Sequence, residues 1–192
     1  MTLLADPLLL ALNHIRKVES LRKKSVCGDD AKSYNLNGFT SRMKNFPSLL
    51  LDAGLIPAVT FYLSKVSSKK EKAITPENLK ALVEYFEDKL EDLPKGASEA
   101  VKEDMKGEES KGYLIASAVL LAALKKFGES LGLEMKESAD FLTTVVEYLE
   151  ELRAGNSKGT IMEKLMLEYS NEMKRLVEAY SKVVWGGEES AP

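Results

Sequence analysis

From Leu8 onward, apolar residues return every three or four positions. Leu8, Ala11, Leu12, Ile15, Val18 and Leu21 therefore mark one buried stripe of a helix. Asp6 followed by Pro7 supplies its cap and first turn. The opposite stripe carries Asn13, Arg16, Lys17, Ser20, Lys23 and Lys24, and Cys27-Gly28-Asp29-Asp30 ends the helix. A second helix is predicted from about Tyr34 to Phe46, stopping before Pro47, because proline lacks an amide and restricts the residue before it. Pro47 and Pro57 suit first helical turns, and Gly54 suits a left-handed helix end. That punctuation predicts helix, tight turn and helix through Leu63, with Phe46, Leu50, Leu55 and Phe61 in the core.

After a polar linker at Ser67 to Lys72, Thr75-Pro76-Glu77 opens another helix by cap, proline and first-turn acid. Its buried stripe is Leu79, Leu82, Val83, Phe86, Leu90 and Leu93. Pro94 to Lys111 is polar and dotted with glycine, and is expected as a weak helix or a mobile insertion. Tyr113 to Leu124 is apolar on every side, interrupted by Ser117, and reads as a helix buried all round. It is too short to cross about 30 Å of hydrocarbon. Past a break at Gly128 to Gly132, Ala139, Leu142, Val145, Val146, Leu149 and Leu152 mark one face of a helix that Gly155-Asn156-Ser157 ends. The last helix, from about Thr160 to Trp185, should bury Leu165, Met166, Tyr169, Met173, Leu176, Val177, Tyr180 and Val184, and residues 186–192 read as a disordered tail. No convincing alternating strand interrupts this series. The expected fold is all-α: one domain over residues 1–192, a compact multi-helix bundle with short Pro- and Gly-punctuated connections.

Composition narrows the chemistry. A chain of 192 residues buries roughly 70% of its unfolded surface and needs no metal or disulfide to hold a core. The single cysteine excludes a disulfide framework or thiolate zinc cluster, and the single histidine excludes a His-rich metal site. The absence of glutamine, with abundant Lys and Glu, leans towards a thermophile. The apolar N-terminus has no basic leader and carries Asp6-Pro7, so it does not read as a signal peptide; the expectation is a cytoplasmic protein with no membrane contact. The net charge of −3 conceals an asymmetry. Residues 1–72 hold 12 Lys/Arg against 6 Asp/Glu, residues 73–151 hold 9 against 18, and residues 152–192 hold 6 of each. Such a chain suits an anionic partner on one side only.

Catalytic constellations are missing. Cys27 lies 13 residues from His14. About four helical turns separate the two, too far for a thiolate and its base. Ala11 stands three residues before His14, where a di-iron bundle needs glutamate. Acidic pairs such as Glu108-Glu109 and Glu150-Glu151 diverge on a helix and read as solvated faces. No Gly-rich phosphate loop is present. No catalysis and no cofactor are expected. The positive signal is the basic stripe: Arg16, Lys17, Lys23 and Lys24 cover about 12 Å of helix axis, a reach for two or three phosphates. Arg42 and Lys44 lie two residues apart, and Lys174-Arg175 form a second pair. Such stripes also occur as plain solvated faces, and a helical protein–protein adaptor with no nucleic-acid role fits the same residues.

The stretch GFTSRMKNFPSLLLDAGLIPAVTFYLSK, residues 38–65, resembles the small helical subunit of type III-B CRISPR effector complexes, the Cmr RNA-targeting complexes. The pattern is an aromatic residue, a basic pair, an apolar residue and Pro, then two apolar runs joined by Gly-Leu. Here it reads Phe39, Arg42, Lys44, Phe46, Pro47, Leu49, Leu50, Gly54, Leu55, Phe61 and Leu63. YSNEMKRLVEAYSK, residues 169–182, is similar to that family's closing helix through Lys174, Arg175 and Ala179. Glu172 departs from it where an aromatic residue is common, and residues 69–112 are longer and more acidic, as a lineage-specific insertion would be. The resemblance implies a non-catalytic subunit of an antiviral complex, stacked in copies along the guide RNA–target RNA duplex. Its partners would be the guide and target RNA backbones, the other effector subunits and copies of itself. Phosphate would be met by Arg16, Lys17, Lys23, Lys24, Arg42, Lys44, Lys174 and Arg175.

Overall fold

A computed structural model describes residues 4–25, 35–67, 75–106, 111–136, 140–154 and 157–185. They form α1 (Pro7–Ser25), α2 (Asn37–Ala53), α3 (Leu55–Ser67), α4 (Pro76–Phe86), α5 (Lys95–Met105), α6 (Tyr113–Ser130), α7 (Phe141–Arg153) and α8 (Ser157–Val183), with no strand among the described residues. The all-α architecture predicted from periodicity is the one observed. Cys27, Ala139, most of the linker after Ser67, and residues 186–192 lie outside the described residues.

The apolar run explains the centre. Every residue of α6 from Leu114 to Leu124 is buried, and α1 to α5 and α8 all touch this helix. A helix with no polar face can only be stable when neighbours cover it on all sides. Around it, α1 and α2 both lie against α8, whose buried stripe includes Met162, Met166, Tyr169, Met173 and Val177.

The caps follow the sequence closely. Asp6 Oδ1 accepts the amides of Leu8 and Leu9 at 2.8 and 3.0 Å, and Thr75 Oγ1 accepts that of Asn78 at 3.3 Å. Gly54 (φ +84°) donates its amide to Leu50 and ends α2, as its position predicts.

Six expectations are corrected. On α1, Leu8 is 44% exposed and Leu12 half-buried, because His14 takes the inner face with Ala11, Ile15, Val18 and Leu21. Pro47 does not stop α2, which continues to Ala53 with the proline buried inside it. Proline removes the amide that would meet the Met43 carbonyl and crowds that turn. Beside the break, the Tyr62 hydroxyl donates to the Arg42 carbonyl at 2.6 Å, so α3 braces the weakened turn. Phe61 is 41% exposed, whereas Phe46, Leu50 and Leu55 are buried; Tyr62, one residue on, points inward in its place. The helix opened by Thr75 ends at Phe86 because Asp88 turns left-handed (φ +63°), leaving Leu90 and Leu93 half-buried in the connection. On α7, Val146 faces outward at 52% exposure and Leu142 is half-buried, because Tyr148 takes the inner face and lies close upon Gly128. On α8, Leu176 and Tyr180 are half-buried and Val184 is exposed, beyond the helix end. The segment from 94 to 111 holds α5, anchored through Ala97, Ala100, Val101 and Met105.

Candidate nucleic-acid interface

Residues seven apart on a helix fall in one row, since two turns bring them back to nearly the same angle. On α1 that spacing splits the basic stripe in two. Arg16 and Lys23 form an exposed row. Arg16 has no ion pair among the described residues, and Lys23 is 70% exposed and lies 3.5 Å from Glu19. Lys17 and Lys24 form the second row, which faces the connection between α4 and α5.

Lys17 is held internally. Its ammonium donates to the carbonyls of Tyr85 (2.6 Å) and Phe86 (3.2 Å), pairs with Asp88 at 2.6 Å and sits over the Tyr85 ring. The Lys17 bond keeps the Asp88 carboxyl below its ordinary range, and the Asn13 amide adds a second donor at 3.2 Å. Lys24 pairs with Asp92, which raises its pKa. The two lysines thus fasten α1 to the loop after α4, across a seam where the basic first third of the chain meets the acidic middle.

The other candidates are placed separately. Arg42 and Lys44 leave opposite flanks of α2, as residues two apart must. The Arg42 guanidinium lies 4.2 Å from the Tyr113 ring centroid and its Nε donates to the Lys111 carbonyl at 3.2 Å. Lys44 approaches Glu178 of α8 at 3.9 Å, one turn beyond Lys174 and Arg175. Arg175 pairs with Glu172 at 2.6 Å, and Lys174 is half-buried with no ion pair among the described residues. Lys44 of α2 thus meets α8 at Glu178, one turn along from Lys174 and Arg175, and Arg42 lies on a different flank.

Two buried polar groups are ones that sequence reasoning misses. Glu19 is 7% exposed and accepts from Arg22 Nε (3.0 Å), Arg22 Nη2 (3.1 Å) and Trp185 Nε1 (2.6 Å). Burial alone would raise its pKa, but these bonds outweigh it and hold the carboxylate ionised. The Trp185 ring packs on Phe39 and Tyr180, so one indole ties α1, α2 and the end of α8 together. Asp104 is 3% exposed and accepts the Ile115 amide at 3.1 Å, joining α5 to the start of α6. The lone tryptophan is the one signal that could have found Glu19; Asp104, an acid facing inward, gives none.

His14 is 1% exposed and shares a 2.6 Å hydrogen bond with the Tyr169 hydroxyl, between the edges of Phe86 and Tyr169. Burial first, then the Lys17 charge, lower its pKa to about 3, against a smaller opposing effect from Asp88. It is a neutral core residue. Among the described residues no three His, Cys, Asp or Glu side chains come together as metal ligands, and no helix is long and apolar enough to cross a membrane.

A family model described as CRISPR-associated protein (Cas_Cmr5) matches residues 11–131. The matched span takes in the basic stripe of α1, the Pro- and Gly-punctuated stretch of α2 and α3, and the acidic segment 69–112; the closing-helix motif at 169–182 lies beyond it. Neither a curated protein nor a solved structure gives a significant match.

Proposed function

Given that the chain belongs to the Cmr5 family, the small subunit of type III-B Cmr complexes, we propose that it acts as a non-catalytic scaffold stacked in copies along the guide–target duplex. Other Cmr effector subunits are its partners through family membership. The family match over residues 11–131 carries this reading. Base pairing between guide and target supplies sequence specificity, so the subunit needs only sequence-independent contacts to ribose and phosphate. The exposed row of Arg16 and Lys23 suits such contacts, because the two side chains stand about 10 Å apart along the axis. Lys44, Lys174 and Arg175 offer a second basic group on α2 and α8. Lys17, Lys24 and Arg42 reach RNA in this scheme only by exchanging their internal partners for phosphate, and Lys23, Lys44 and Arg175 likewise exchange Glu19, Glu178 and Glu172.

In the assembled complex, Arg16→Ala/Lys23→Ala is expected to weaken RNA retention. The slope of log affinity against log salt should fall by nearly two per copy in contact, about 0.9 for each lost phosphate contact. Thermal stability should stay unchanged. Lys17→Ala should behave oppositely and lose about 1–3 kcal/mol of stability, since it strips charged hydrogen bonds from two carbonyls. RNA retention and salt slope that survive the double substitution intact would overturn the reading.

The internal pairing of Lys17, Lys24, Lys44 and Arg175 favours a second reading, a protein–protein adaptor. Nuclease treatment separates the two. Undiminished assembly with no RNA co-purifying supports the adaptor.

A further inference from the structure

The outward turn of Phe61 leaves a large ring where the fold does not require one. Phe61 is 41% exposed on α3 and meets Tyr113 edge to face at 6.4 Å; Tyr62, buried beneath, meets Tyr113 at 5.4 Å. Cations border these rings. Arg42 is layered 4.2 Å over Tyr113, and the Lys65 ammonium lies 5.1 Å over Phe61. Arg42 also holds the Lys111 carbonyl, so the start of α6 is fixed against α2 and α3 at this point. Arg42 has no carboxylate partner among the described residues, unlike Lys17, Lys24 and Arg175.

We propose that Phe61 and Tyr113, bordered by Arg42 and Lys65, form a stacking platform for an unpaired base of single-stranded RNA. The chemistry is that of sequence-tolerant single-strand binding, in which an aromatic face takes the base and a neighbouring cation takes the adjoining phosphate. The Phe61 face now covered by Lys65 is covered by a long, exposed side chain, not by packed core. A base settling there displaces the ammonium towards the phosphate that the base itself brings. Edge-to-face packing fixes the rings in place, so they lose little freedom on binding. A helical duplex keeps its bases stacked inside and cannot use the platform, so the site selects unpaired segments at the ends or interruptions of the duplex.

This inference rests on the RNA-scaffold reading, and the test separates the two. The full-length chain is titrated with fluorescent oligouridylate, and with an abasic ribose-phosphate chain of equal length. Phe61→Leu is expected to weaken oligouridylate binding about tenfold, to leave the abasic chain unaffected and to leave the salt slope unchanged. Phe61→Trp should restore the affinity. Equal loss with the abasic chain, or failure of tryptophan to rescue, overturns stacking. Undiminished binding by Phe61→Leu alongside weakened binding by Arg16→Ala/Lys23→Ala removes the platform and leaves the scaffold reading standing. Absence of any oligouridylate binding at low salt removes the platform too. If Phe61→Leu instead reduces assembly with the other subunits after nuclease treatment, the patch is a protein contact and the proposal fails.

Discussion

Between pH 6.5 and pH 5 the folded protein is expected to lose roughly 2 kcal/mol of stability, and the loss traces to His14. Its pKa is about 3 in the folded chain against 6.5 for the free side chain. Between these values the unfolded state binds a proton that the folded state refuses. Stability therefore falls as pH falls, by about 1.4 kcal/mol per pH unit, and the effect is absent above the unfolded pKa. Carboxylates held low by their partners, Asp88 and Glu19 among them, act in the same direction but below about pH 4.5. The window from 6.5 to 5 thus belongs to the imidazole. Urea unfolding of the wild type and of His14→Leu at pH 7.5 and pH 5 measures it. The variant should have a nearly flat profile across that window. At pH 7.5 it should be less stable by about 1–3 kcal/mol, because the fully buried Tyr169 hydroxyl is left without its partner. Adding Tyr169→Phe should recover part of that loss, since removing both partners leaves no polar atom stranded. A wild type with no pH slope would show that His14 is protonated inside the fold, and a variant that keeps the slope would assign it to another group.

What the sequence can and cannot announce follows from the range of each signal. Caps, helix-opening prolines and the apolar run of α6 act within a few residues, so Asp6, Thr75 and Leu114 to Leu124 are readable directly. The Cmr resemblance at residues 38–65 is readable for the same reason, as a pattern of fixed spacing inside the span that the family model matches. Pro47 misleads because its cost is local while its compensation comes from Tyr62, on another helix. Periodicity puts Phe61 and Val146 on the wrong side because it defines a stripe but not its bearing; a neighbour, Tyr62 or Tyr148, takes the inner position. The basic stripe shows the deepest limit. Its four charges are equivalent in sequence, and only the left-handed turn at Asp88 and the placement of Asp92 divide them into an exposed row and a fastened one. Part of the charge asymmetry between the first and second thirds of the chain is thereby closed inside one molecule and is not offered to a partner.

Substituting Gly112 by alanine should destabilise the fold by roughly 2–5 kcal/mol, more than a typical surface change in the bundle. Gly112 sits at φ +61° immediately before α6, where a side chain already costs about 1–2 kcal/mol. A Cβ there would lie 2.0 Å from the Phe39 amide nitrogen and 2.2 Å from the Gly38 carbonyl carbon. Both are backbone atoms of α2's first turn and cannot swing aside as a side-chain tip could, so overpacking adds about 1–3 kcal/mol more. The comparison that isolates this is Gly132→Ala. Gly132 shares the left-handed conformation (φ +68°), but its Cβ would meet only the Lys158 ammonium at 3.9 Å. It should show the conformational cost alone. Denaturant midpoints of the two variants should therefore differ by the close approach of α2 to the start of α6. That approach positions Arg42 over Tyr113, so Gly112→Ala should also weaken oligouridylate binding beyond what its folded fraction explains, while Gly132→Ala should not. Equal destabilisation by the two substitutions would mean that α2 and α6 do not meet at this point.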